Sequence, residues 1–204
     1  MLGFYSASFN TVEANNTFYK MPTEKVLAHW RDQVPANFVF AIKAPQRITH
    51  VERLKDSASS LERLFAATLA LGDKLGPFLF QLPPFLKMDL PRLREFLAGL
   101  PPRTRAAFEF RHSSWFCDEI YAALSEKNCA LVWSESEKLT TPFVATSDWG
   151  YLRLRREDYV DSDIAAWAER LRAQKFQQAF IYFKHEDAGT GPRLATQLRN
   201  LLNE

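Results

Sequence analysis

The sequence predicts an α/β chain in which about seven parallel strands alternate with helices. Three observations carry this. Short apolar runs alternate with amphipathic helical stretches at intervals of roughly 20 to 40 residues. Each strand splits by parity into a bulky face and a face of small or polar residues. Nearly every strand ends in charged or amide groups, and these converge only if the strands surround one mouth. In an open doubly wound sheet they would gather at a single switch point instead. The expectation is therefore a TIM-type β/α barrel, folded as one domain over residues 1–204.

The elements follow in order. Residues 2 to 8 read as the end of a helix. Phe9 to Asn16 is a strand ending in Glu13, Asn15 and Asn16. Val26, Leu27 and Trp30 share a face of a helix over Thr23 to Val34. Phe38 to Ala44 sets Phe38, Phe40 and Ile42 opposite Val39, Ala41 and Lys43. Ser59 to Glu62 has capping-box spacing and opens a helix striped by Leu61, Leu64, Phe65 and Leu69, closed by Gly72. Phe78 to Pro83 sets Leu79 and Gln81 against Phe78 and Phe80. Asp89 caps a short helix with Pro91 in its first turn.

The strand from Arg105 divides most sharply, with Ala107, Glu109 and Arg111 on one side and Phe108, Phe110 and His112 on the other. Asp118 caps a helix through Leu124, and Ala130 to Glu135 is a strand. Tyr151 to Arg155 places Tyr151, Arg153 and Arg155 together. Ile164, Trp167 and Leu171 mark a helix, Ala179 to Lys184 the last strand, and Leu194, Leu198 and Leu201 the last helix.

Composition sets bounds. With 47% hydrophobic residues the chain can bury a sizeable core, and a net charge of +2 falls short of a dedicated nucleic-acid binder. The first ten residues lack the basic flank and apolar run of a signal peptide, so the expected location is cytoplasmic, with Cys117 and Cys129 as reduced thiols.

The expected site is the set of small-face residues at strand ends: Glu13, Asn15, Lys43, Gln81, Glu109, Arg111 and Arg153, with Lys184 as a further member. Four cations against two carboxylates suit a small anionic ligand, phosphorylated or carboxylated. Glu13, Lys43 and Glu109 are the expected acid/base residues, and Asn15, Gln81, Arg111, His112 and Arg153 the substrate-binding ones. Trp115, Trp133, Trp149 and Tyr151 are expected near the mouth.

Two other readings stand beside this. His50, His112 and His185 with a glutamate would serve a metal-dependent phosphoesterase or nuclease, although no paired-histidine spacing supports it. A basic surface of Arg153, Arg155, Arg156 and Lys175 would serve a non-catalytic nucleic-acid or ligand-binding module. The sequence leaves the cofactor unspecified.

The runs Val12 to Tyr19, Phe40 to Ala44, Ile48 to His50, Leu75 to Pro84 and Phe108 to Trp115 resemble the YecE-like family, catalogued as a domain of unknown function. The resemblance spans essentially the whole chain and implies a TIM-type barrel of unassigned activity. Members usually begin with a Gly-Thr-Ser-Gly-Trp strand, whereas this chain begins inside the helix that follows it. The barrel is thus expected to lack its first strand, with edges at Phe9 to Asn16 and Ala179 to Lys184 open to dimerisation or aggregation, and the expectation is either coding sequence for the strand upstream of Met1 or a poorly behaved protein. Phe180 to Glu186 also stands where many members have Phe-Asn-Asn.

Overall fold

The computed structural model describes residues 2–136, 139–184 and 189–203. Five strands, β1 (Thr11–Ala14), β2 (Val39–Lys43), β3 (Leu75–Gln81), β4 (Ala106–Glu109) and β5 (Ala130–Leu131), form one parallel sheet in chain order. A second sheet holds β6 (Trp133–Ser136), a short antiparallel β7 (Leu139–Thr140), β8 (Trp149–Leu154) and β9 (Gln178–Phe183), with β6, β8 and β9 parallel.

Val132 alone separates β5 from β6. Its N–H donates to Phe108 O at 2.9 Å, while Trp133 is already in register with Leu152 of β8. One run of chain therefore serves both sheets. At the far ends, Thr11 Oγ1 and Tyr182 OH hydrogen-bond at 2.8 Å, yet no ladder joins β1 to β9 among the described residues. A cleft of about 490 Å³, lined by Phe9, Thr11, Ile181, Tyr182 and Leu198 among others, lies between these two edges.

Seven α-helices accompany the strands among the described residues: α1 (Leu2–Ser6), α2 (Glu24–Asp32), α3 (Ala58–Thr68), α4 (Leu90–Ala98), α5 (Asp118–Ser125), α6 (Asp161–Arg172) and α7 (Thr190–Asn203). Thr23 and Asp89 cap α2 and α4 through side-chain oxygens, as their positions before apolar stripes predict. β3 starts three residues earlier than expected because Gly76 permits it. A Cβ there would lie 2.4 Å from Val39 Cγ1 and 2.9 Å from Phe40 O, so only glycine lets β3 close on β2.

The parity reading places the core. Phe80, Phe108, Phe110 and Trp115 stack in sequence on the outer face under the helices, with Phe110 and Trp115 centroids 4.6 Å apart and nearly parallel. The inner face is built differently on its two halves. Ala41, Leu79, Ala107, Ala130 and Val132 come from β2 to β5 and the Val132 junction, and Trp149, Tyr151 and Phe180 from β8 and β9. Small residues on one half leave room for aromatic rings from the other.

Several expected boundaries are corrected. β1 covers only Thr11–Ala14, because Asn16–Phe18 turns into a 3-10 helix. α3 already begins at Ala58, so Ser59 is a helical residue rather than a cap, and Ser60 Oγ instead donates to Glu52 Oε1 at 2.7 Å. Leu69 lies past the end of α3 and Val26 on the open side of α2, and both are exposed rather than inward. Trp115 and Trp133 are buried on the outer face and Trp149 sits at the opposite end of its strand, donating to Asn128 O, so the tryptophans do not line a mouth.

Candidate functional site

The charged cluster forms where the inner face reaches the C-terminal ends of the strands. Arg153 on β8, 3% exposed, lies at its centre. Its Nη1 donates to Glu109 Oε2 at 2.6 Å and its Nη2 to Glu13 Oε1 at 2.8 Å. Cross-strand register explains the rest. Gln81 is opposite Glu109, and its Nε2 donates to Glu109 Oε2 at 2.8 Å; Ser134 is opposite Arg153, and its Oγ accepts from Arg155 Nη2 at 3.1 Å. Arg155 Nη2 also donates to Glu109 Oε1 at 2.7 Å, and Tyr151 OH donates to Glu13 Oε2 at 2.7 Å.

Burial by itself would raise the Glu109 pKa. Arg153 and Arg155 outweigh that, the Gln81 amide adds a donor, and the carboxyl is held at about 2. The same carboxylates hold the buried Arg153 guanidinium more firmly protonated than usual despite its burial.

Lys43, the last residue of β2, is in a different position. It is 9% exposed, and its Nζ lies 4.1 Å from the centroid of the Phe18 ring. Among the described residues it makes no ion pair and no side-chain hydrogen bond. Burial, then the Arg153 charge, push its pKa down to about 8, against the opposing pull of Glu109 and Glu13. Phe18 is held there by Thr17, whose buried Oγ1 lies 2.7 Å from both Lys43 O and Ala14 O and shares its one hydrogen between them.

Next to Phe18 stands His50, on a π-helical turn over Arg47–Val51, with ring centroids 5.0 Å apart. Single π turns recur at functional sites. Burial pushes its imidazole pKa down, and the Lys43 and Arg111 charges push it further.

The expected site residues thus divide. Glu13, Lys43, Gln81, Glu109 and Arg153 share the interior. Arg111 is exposed just past β4, and its charge reaches both His50 and Arg155. Asn15 is exposed, with its amide 3.4 Å from Glu13 O. His112 turns to local work, since Nδ1 accepts from Ser114 N at 3.2 Å and caps the turn Ser113–Trp115. Lys184 is exposed beyond β9.

Phe18, Ser134 and Arg155 join the cluster without having been selected as site residues, and Tyr151, expected near the mouth, joins it through Glu13. The parity that selected Arg153 also selects Tyr151 and Arg155, but nothing in the sequence marks Phe18. Among the described residues the buried Nε of Arg155 meets no acceptor.

The basic surface is corrected. Arg153 is buried, Arg155 is tied to Glu109, and Arg156 pairs with Glu135, Asp158 and Asp163. Among the described residues no three His, Cys, Asp or Glu side chains are placed to hold a metal, and His185 and Glu186 lie outside those residues. No described helix is long and apolar enough to cross a membrane.

Comparison with known proteins places the chain. It is 33% identical over 113 residues to "UPF0759 protein YecE" of Escherichia coli K12, covering 55% of this chain and 42% of that protein. It is 31% identical over 129 residues to "UPF0759 protein YunF" of Bacillus subtilis 168, covering 57% and 44%. The matched region thus spans less than half the length of these curated relatives. A DUF72 family protein of Enterococcus faecalis V583 superposes with a TM-score of 0.88 at 19% identity, over 100% of this chain and 88% of that one. The corresponding values for a DUF72 family protein of Thermotoga maritima MSB8 are 0.84, 23%, 100% and 89%, and both likenesses speak for the fold. The family model described as "Protein of unknown function DUF72" matches residues 1–204, and the chain belongs to that family.

Proposed function

We propose that the two sheets act as one TIM-type β/α array, incomplete between β9 and β1, whose C-terminal mouth is an enzyme site for a small anionic metabolite, phosphorylated or carboxylated. The observation that carries this is Lys43, which among the described residues has a ring face but no carboxylate partner. Glu13 and Glu109 are both taken up by Arg153, and Arg155 shares Glu109, so three interior cations face two carboxylates. A buried positive charge without a partner is costly unless a ligand meets it or it loses its proton. Arg111 at the rim and the Arg155 Nε, which no described residue engages, supply further donors for an anion.

In this reading Lys43 and Glu13 transfer protons. Glu109 is reassigned: a carboxyl held near 2 by two arginines does not exchange protons at neutral pH, so it positions Arg153 and Arg155. The two free thiols, Cys117 and Cys129, fit a cytoplasmic setting.

Thermal unfolding against inorganic phosphate, sugar phosphates and small carboxylates tests the proposal. A ligand that binds only the folded state at 100 times its Kd stabilises by about 2.7 kcal/mol. The expected result is a raised Tm with at least one anion, lost in Lys43→Met. Unchanged melting across the whole panel would overturn it.

A further inference from the structure

We infer that Lys43 is a covalent nucleophile, forming an imine with the carbonyl carbon of a substrate that also carries an anionic group, such as a 2-oxo acid or a phosphorylated aldehyde or ketone. The inference rests on the anion site proposed above and names the chemistry performed there.

Lys74 shows by contrast what a structural lysine looks like in this fold. Its Nζ donates to Arg31 O and Val34 O, each at 2.7 Å, so its nitrogen is occupied in bracing α2. Among the described residues Lys43 makes no such bond. Its backbone is fixed by the β2 ladder and by Thr17, and Nζ rests over an aromatic ring that offers no acceptor. When neutral, its lone pair is uncommitted. Desolvation and neighbouring cations are the two means by which proteins make a lysine nucleophilic, and both are present. They bring the amine to about 8, so a substantial fraction is neutral near that pH.

The chemistry balances without an oxidant or reductant. The neutral amine attacks the carbonyl carbon, and the carbonyl oxygen takes up a proton as the new ammonium gives one up, leaving a carbinolamine. Loss of its hydroxyl as water, with a second proton from nitrogen released, leaves the C=N bond. One carbonyl and one amine become one imine and one water.

Proton exchange in these steps falls to the pair formed by Glu13 and the Tyr151 hydroxyl. Glu13 is in register with Ala41, one inner-face position before Lys43 on β2. Arg111 and the Arg155 Nε are placed to take the anionic group.

The test is reductive trapping. The purified wild-type chain is incubated with pyruvate, glyoxylate or dihydroxyacetone phosphate and cyanoborohydride, which reduces imines in preference to carbonyls, and the adduct is located by peptide mass mapping. The expected result is a single adduct on Lys43, lost in Lys43→Arg and kept, together with the phosphate-induced rise in Tm, in Lys74→Arg. Mapping on the wild-type chain stands even if a variant fails to fold. Adducts spread over exposed lysines, or none at all, beside an intact phosphate shift, would overturn the imine and leave the anion site standing. Loss of both adduct and phosphate shift in the wild type would overturn both.

Discussion

Lys43 and Arg153 enter the same interior from opposite sheets with the same charge and similar burial, 9% and 3% exposed. Arg153 has a carboxylate on each arm, and its protonated form is reinforced. Among the described residues Lys43 has a ring face in place of an ion-pair partner, and burial with the Arg153 charge outweighs the pull of Glu109 and Glu13, so its protonated form is weakened. Burial of charge is therefore two different things in one cluster. Arginine cannot escape by losing its proton, so its partners must be complete; lysine can, so an incomplete shell turns it into a reactive amine. The carboxylates that a neutralised cluster would share out evenly are given almost entirely to the arginines.

Removing the complete partner is expected to do the most damage. Arg153→Met strips Glu13 and Glu109 of their shared counter-ion, and such broken buried pairs cost about 3–5 kcal/mol. Urea unfolding reads this directly, and a loss below about 1 kcal/mol would show that the pairing does not hold the interior together. Adding Glu13→Gln and Glu109→Gln to Arg153→Met is expected to recover part of the loss, because no buried charge is then left alone.

Glu109→Gln follows at about 2–3 kcal/mol, since charge-assisted bonds from Arg153 and Arg155 weaken while the Gln81 contact is kept in kind. It also removes a pH dependence. The folded-state value near 2 lies below the ordinary 4.5, so this carboxylate contributes stability in full above the ordinary range and loses it as pH falls from there through about 2. Between pH 5 and pH 2, wild-type stability is expected to fall more steeply than that of Glu109→Gln.

That contrast between the cations was only half legible in the sequence. Alternation in Phe38 to Ala44, Arg105 to Arg111 and Tyr151 to Arg155 correctly put Lys43, Glu109 and Arg153 on one inner face, because strand parity depends on nothing but position. It put Arg111 there as well, but β4 ends at Glu109 and Arg111 passes to the rim. Which cation would pair with which anion depends on how the two sheets curl toward each other, and single-strand patterns carry no such information. The same gap made Arg153, Arg155 and Arg156 look like one basic surface, whereas alternation and separate acidic partners divide them between interior and exterior. Phe18 was invisible for a third reason: a 3-10 turn has no strand parity, and the Thr17 hydrogen bonds and the His50 ring that hold Phe18 follow from tertiary structure.

Lys43→Met is expected to move stability the other way, upward by roughly 1–3 kcal/mol near pH 7, once partial solvent screening is allowed for. The groups acting on the amine are Arg153, Arg155, Glu13 and Glu109, together with the Phe18 ring. Its folded value of about 8 lies below the ordinary 10.5, so between these limits the unfolded chain binds more protons and wild-type stability rises with pH. The buried Cys129 thiol, pushed up to about 12, gives an opposite slope in both proteins, so their difference isolates Lys43. A variant less stable than wild type at pH 7 would mean that the ammonium is held by a partner and that its likeness to Arg153 is closer than the geometry indicates.

Arg111→Ala is expected to have the smallest effect on stability, within about 0.5 kcal/mol, because an exposed side chain away from caps and the core contributes little. Its value lies in separating rim from interior. The same change is expected to reduce the phosphate-induced rise in Tm, since Arg111 is the exposed cation whose field reaches His50 and Arg155 at the mouth. Melting curves with and without phosphate give both quantities from one preparation. A stability loss as large as that of Glu109→Gln would place Arg111 inside the paired network, and an undiminished phosphate shift would remove it from the ligand site. Unchanged stability with a weakened shift is what a cation waiting for an anion must show, and is the result that Arg153 cannot give.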